Sequence, residues 1–156
     1  MSSNRSRNTR WRVWWCSADL VAPLPVAELA AASSSVVING QELTLVASIW
    51  RDFMPVSPPD GKPLVAVLRV QAPGGVRISS TFHVDAAWLV NGGEVWATGV
   101  ADERLETQSP MYYEVVARDG PKWAPGASVD VVVRIRESSG ASHLLRVAGQ
   151  RIQRSD

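Results

Sequence analysis

Ser128-Val-Asp-Val-Val-Val-Arg-Ile-Arg-Glu137 decides the fold. Val129, Val131, Val133 and Ile135 alternate with Asp130, Arg134 and Arg136. Neighbouring side chains of an extended strand point to opposite faces, so a period of two gives one apolar and one charged face. A helix would scatter the same residues around its circumference.

Working outward, Ser138-Ser139-Gly140 turns the chain into a final strand near Ser142–Val147, and Lys122-Trp123-Ala124-Pro125-Gly126 leads into the first. This order, a Trp before Pro-Gly, a Val-rich alternating strand, a Ser-Gly turn and a closing strand, resembles the last hairpin of immunoglobulin-like and fibronectin-type domains. The resemblance covers Lys122 to Val147 and implies an antiparallel sandwich. It departs from true immunoglobulin domains in lacking their paired cysteines, since Cys16 stands alone.

Upstream the same period recurs. Leu43, Leu45, Ala47 and Ile49 alternate with Thr44, Val46, Ser48 and Trp50, and Asn39-Gly40 is a tight-turn pair that hairpins Val36–Ile38 onto them. Leu64–Gln71 carries Leu64, Ala66, Leu68 and Val70 on one face, with Val65 and Val67 on the other, which suits a strand central in its sheet. Val76–Val84 alternates next. Ala86–Val90 and Glu94–Val100 flank Asn91-Gly92-Gly93, and a three-residue loop sets Trp88 opposite Trp96. Met111–Arg118 is a further strand after a charged loop holding Asp102, Glu103 and Glu106. The expected architecture is all-β, an antiparallel immunoglobulin-like or fibronectin-like sandwich of about seven to nine short strands.

The domain is expected to span residues 36–152, with a polar tail at 153–156 and a distinct N-terminal extension at 1–35. Four of the sixteen basic residues, Arg5, Arg7, Arg10 and Arg12, fall in the first twelve positions, where there is no acid. The extension has the order of an export signal, basic, then apolar, then Ala30-x-Ala32, but Asp19, Pro23, Pro25 and Glu28 interrupt its apolar part. Two readings stay open: a basic extension on a cytoplasmic protein, or a degenerate signal at residues 1–32 on a periplasmic or extracellular one. Pro25–Ala32 is long enough for one or two helical turns.

From Ser34 onward 12 basic residues face 13 acidic ones. A near-neutral body offers no broad attraction for nucleic acid or an anionic membrane. No apolar run approaches the roughly 18 residues of a membrane span. One cysteine excludes an internal disulfide and a Cys-based zinc site.

Catalytic groups are sparse, and no nucleophile elbow, zinc helix or phosphate loop occurs. His83 and Asp85 stand two apart on a strand and share a face, the one pairing that suggests a small hydrolase or metal-dependent enzyme. Asp102, Glu103 and Glu106 do not match a calcium loop. The expectation is a non-enzyme with no cofactor and no metal.

The unusual stretch is Trp50–Pro63, which sets bulky apolar residues, opposite charges and Pro55, Pro58, Pro59 and Pro63 in one loop. Trp50, Phe53 and Met54 rimmed by Arg51 and Asp52 have the composition of a protein-binding anchor. The competing arrangement folds Phe53 and Met54 back to plug the end of the sandwich. Another protein is the expected partner. The alternative is a glycan stacked on Trp50, Tyr112 or Trp123, which requires a planar row of exposed aromatics.

Overall fold

The computed structural model describes residues 12–15, 24–54, 58–59, 61–78, 82–102 and 112–155. The elements are β1 (Arg12–Trp15), α1 (Val26–Ala30), β2 (Val36–Ile38), β3 (Gln41–Asp52), β4 (Leu64–Gln71), β5 (Phe82–Asn91), β6 (Glu94–Gly99), β7 (Ala101–Asp102), β8 (Tyr112–Gly120), β9 (Ser128–Glu137), β10 (Ser142–Arg151) and β11 (Gln153–Ser155). They form two packed sheets, one in the order β1-β6-β5-β9-β10 and one in the order β11-β3-β4-β8-β7, with β2 on β3. The protein is an all-β sandwich. Its pairings are antiparallel except for β1 on β6 and β11 on β3.

The inward residues of β9 lie where the alternation puts them. Val129, Val131, Val133 and Ile135 are buried in one core with Leu43, Leu45, Ile49, Leu68 and Val70 from the facing sheet. At Asn39-Gly40 both residues take positive φ, 53° and 77°, which closes the β2–β3 hairpin in the tight-turn geometry such pairs favour.

The sheets close on each other where the chain changes sheet without a loop. Val100 alone separates β6 from β7, and Ile152 alone separates β10 from β11. Ile152 is buried; its N–H donates to the Ala127 carbonyl at 3.0 Å, and its own carbonyl accepts from Gly126 at 2.7 Å.

Three expectations need correction. The sheets draw on more of the chain than residues 36–152: β1 adds an edge strand, Leu29 of α1 is buried, and β11 from the expected polar tail pairs with Trp50–Asp52. Unpaired backbone at a sheet edge favours such additions. Secondly, Val76–Val84 and Ala86–Val90 are not two strands. Residues 76–78 lie outside the sheets, and Phe82–Asn91 runs as one strand with a register shift at Asp85. Thirdly, the β5–β6 turn has two residues, Gly92 and Gly93, not three. Asn91 therefore faces Glu94, Trp88 faces Ala97, and Leu89 faces Trp96. A slip of one residue reverses every face, so Trp96 enters the central core and Trp88 lies on the outside of its sheet.

That outer face is covered. Leu29 packs with Trp88, Val95, Ala97 and Val132, and Leu24, Val26 and Leu144 pack against the same cluster. Ser33 bridges to Leu145, and its carbonyl accepts the Arg146 N–H at 2.8 Å, tying the end of the covering segment to β10.

Candidate functional site

Residue 51 occupies the next inward position of β3 after Leu43, Leu45, Ala47 and Ile49. Arg51 is only 4% exposed. A buried guanidinium needs acceptors. Its Nε donates to the Lys62 carbonyl and its Nη1 to the Trp123 carbonyl, each at 3.0 Å. Its planar head also lies over the Phe53 ring, 4.8 Å from the centroid, and Arg154 from β11 approaches the same ring at 4.2 Å. These are cation–π distances.

Phe53 is held from below by Gly61, where a Cβ would stand 2.5 Å from the ring and 2.9 Å from the Arg51 Nη2. Gly61 has φ of +82°, so both its backbone and the ring require glycine. The Phe53 N–H donates to Ser155, and Lys62 N–H donates to the Asp52 carbonyl at 2.9 Å. Asp52 Oδ1 accepts the Met54 N–H at 2.9 Å, while its Oδ2 lies 3.7 Å from Lys62 Nζ.

The five residues expected to form one anchor thus divide. Arg51, expected at an exposed rim, is internal because it continues the inward series of β3. Phe53 turns down between arginines and Gly61. Asp52 braces the loop, whereas Met54 is 41% exposed and Trp50 lies half-buried on the outside of the second sheet. Pro55–Ser57 and Asp60 of the expected loop lie outside the described residues.

Trp50 stands between two shallow concavities. One, of about 320 Å³, is lined by Val46, Ser48, Val67, Arg69 and Glu114; the other, of about 290 Å³, by Ser48, Ile49, Gln153, Arg154 and Ser155. The strand register explains the first. Trp50 faces Val65, Ser48 faces Val67, Val46 faces Arg69, and Arg69 faces Glu114, so these side chains form rows across β3, β4 and β8. Arg69 Nε donates to Glu114 Oε1 at 3.1 Å.

The row of exposed aromatics does not form. Trp123 is buried, and its Nε1 donates to Glu94 Oε1 at 2.9 Å. The Arg69 guanidinium covers the Tyr112 ring at 4.4 Å. Trp50 is left without an aromatic neighbour of that set.

His83 and Asp85 both lie beside Arg136 but differ in exposure and partners. His83 is exposed and faces Arg136. Asp85 occupies the β5 irregularity and accepts from Arg134 Nε at 2.8 Å, Arg134 Nη2 at 3.2 Å and Arg136 Nε at 2.9 Å. Burial pushes its pKa up, but the hydrogen bonds from Arg134 and Arg136, with their positive charge, outweigh that effect and hold it below its ordinary value. Among the described residues no three His, Cys, Asp or Glu side chains stand close enough to hold a metal ion. Glu103 and Glu106 lie outside the described residues.

Two further contacts went unread in the sequence. His143 Nε2 lies 2.5 Å from Glu137 Oε2 across the β9–β10 turn. The cover over Trp88 has a faint signal in Val26, Leu29 and Ala32, spaced three apart as along one side of a helix.

Fold and surface together define an antiparallel β-sandwich with one outer face covered by α1 and its flanking residues and with Trp50 half-buried on the other. No protein-family model, curated protein or solved structure matches the chain. No helix among the described residues is long and apolar enough to cross a membrane.

Proposed function

We propose that this is a non-catalytic binding domain, an accessory sandwich of the immunoglobulin or fibronectin kind, that acts by contacting another protein through the Trp50–Met54 end of its open face. One observation carries the reading. Trp50 at the end of β3 and Met54 just beyond it present apolar surface beside Arg51, which is buried and hydrogen-bonded, and Phe53, which is half-buried between two guanidinium groups. A large side chain on a rigid support loses little entropy on binding, the property that makes a hot spot.

The test is a photo-reactive residue at position 54 in the full chain, introduced in the native cell. One discrete protein adduct is expected, lost on Trp50→Ala while the melting temperature holds within a few degrees. Absence of an adduct, or one indifferent to Trp50→Ala, refutes the reading.

The glycan reading has lost its row of stacking aromatics and is left with the single ring of Trp50 and the hydroxyl, amide and guanidinium groups that line the concavities beside it. It requires saturable quenching of tryptophan fluorescence by a soluble glycan, abolished by Trp50→Ala.

A further inference from the structure

Charge is unbalanced at one place on the first sheet. Arg134 and Arg136 of β9 share the single carboxylate of Asp85. Across β5, β9 and β10 the outward carboxylates are Asp85 and Asp130, and Asp130 is taken by Arg146 at 2.9 Å. Glu137 lies on the other side of β9, against His143. Two guanidiniums on one carboxylate leave one positive charge over.

The bulge in β5 builds this cluster. The register of β5 on β9 shifts between Val84 and Ala86, so Asp85 is the extra residue and stands between the rows of Arg134 and Arg136. Bulges re-aim side chains in this way. Arg134 meets Asp85 through Nε and Nη2, but Arg136 through Nε alone. The two Nη nitrogens of Arg136 are left for a further acceptor, and its side chain is 40% exposed. His83 of β5 and Ser142 of β10 are the cross-strand neighbours of Arg136, and both are exposed.

We infer that this row of His83, Arg136 and Ser142 is a binding site for a phosphate group. It lies on the other sheet from Trp50, so it stands or falls apart from the protein-contact reading.

The donors select the ligand. Imidazole, guanidinium and hydroxyl all donate, and here they come from three adjacent strands about 4.8 Å apart. A phosphoryl group on a side chain carries three acceptor oxygens and nearly two negative charges. A carboxylate has two oxygens and one charge, too few for the row. The flat guanidinium also matches phosphate geometry with two parallel hydrogen bonds. Arg136 is already held by Asp85, so less freedom is lost on binding than at an unrestrained arginine. The group can arrive as inorganic phosphate or on a phosphorylated side chain of another protein.

The test is NMR of the full chain, following the His83 ring and the Ser142 amide. It is titrated with inorganic phosphate, acetate and sodium chloride at matched ionic strength. Phosphate is expected to shift both signals saturably in the millimolar range, and the other two salts are not. Arg136→Gln should weaken phosphate binding about tenfold, the effect of losing a charge-assisted hydrogen bond. His83→Ala, which leaves the Asp85 contacts in place, should weaken it severalfold. Arg151→Gln, at the far end of β10, should leave it unchanged. Circular dichroism checks the fold of each variant, and His83→Ala decides if Arg136→Gln unfolds.

A phosphoserine peptide of otherwise uncharged residues separates the two sources. Binding tighter than inorganic phosphate assigns the site to a phosphorylated partner; equal or weaker binding assigns it to the free ion. Absence of saturable shifts overturns the inference. So does acetate or chloride acting as phosphate does, or a folded Arg136→Gln or His83→Ala chain that binds like wild type.

Discussion

Replacing Leu29 by alanine removes the side chain that holds the N-terminal segment on the first sheet. Leu29 is 1% exposed and packs on Ala86, Trp88, Val95, Ala97 and Val132. The transfer cost of three lost carbons is about 2.4 kcal/mol at about 0.8 kcal/mol each. A rigid site would add a cavity penalty and bring the total towards 5 kcal/mol. This site is not rigid. Helix α1 has five residues, and Pro25 before it provides no side-chain cap. A helix that short has no stability of its own, so it peels off rather than enclosing a void.

The expected loss is therefore about 2–3 kcal/mol, or about 5–10 °C in melting temperature for a domain of this size. Chemical denaturation gives the free energy, and hydrogen exchange separates the mechanisms. Peeling should release the amide protection of Leu29 and of Arg146, whose N–H donates to Ser33, while β5 and β9 stay protected. A melting point within one degree of wild type would refute the reasoning, because the segment would then not be docked. Cleavage at the Ala30-x-Ala32 sequence would remove Leu29 and uncover Trp88, so the same measurement on a chain beginning at Ser33 should show at least as large a loss.

Arg51→Lys should cost about 3 kcal/mol by urea denaturation, although charge is conserved. One ammonium cannot reach the Lys62 and Trp123 carbonyls while lying flat on Phe53, and wild-type stability in this variant would refute the assignment. The Asp85 carboxylate supplies a pH test. Its folded pKa lies below the ordinary 3.8, so its stabilising effect is complete above that value and is lost as pH falls through the folded pKa. Asp85→Asn should then be less stable than wild type at neutral pH, with the gap closing below about pH 4; a gap independent of pH would count against the arginine clamp.

Much of the fold was legible because strands betray themselves by period. Val129 to Ile135 and Leu43 to Ile49 each fixed a face without knowledge of any neighbour. What the period could not fix was the length of a turn: Asn91-Gly92-Gly93 reads equally as a loop of two or three residues, and that one residue decides whether Trp88 faces Trp96 or the opposite side of the sheet. Arg51 was misplaced for a different reason. Its position follows from carrying the β3 alternation one step past Ile49, but charge argues for the surface. The acceptors that outweigh that preference, the Lys62 and Trp123 carbonyls, lie 11 and 72 residues away. Leu29 was hidden because the spacing of Val26, Leu29 and Ala32 covers only about two turns, too short to set a helical period apart from the small-residue run around it.

The apolar content of the strands still limits what the open face can be. An antiparallel sheet with one wet side alternates cleanly, whereas a strand buried on both sides is apolar throughout. In the first sheet Trp88 of β5 and Val132 of β9 break the alternation, and α1 covers both. In the second sheet β4 breaks it equally, with Val65 and Val67 opposite Leu64, Ala66 and Leu68, and Val46 does the same on β3. If solvent were the only neighbour of that face, polar residues at these positions would cost nothing in packing. Among the described residues α1 covers the first sheet and no such segment lies over β3 and β4, and that difference is the physical argument for an external partner there.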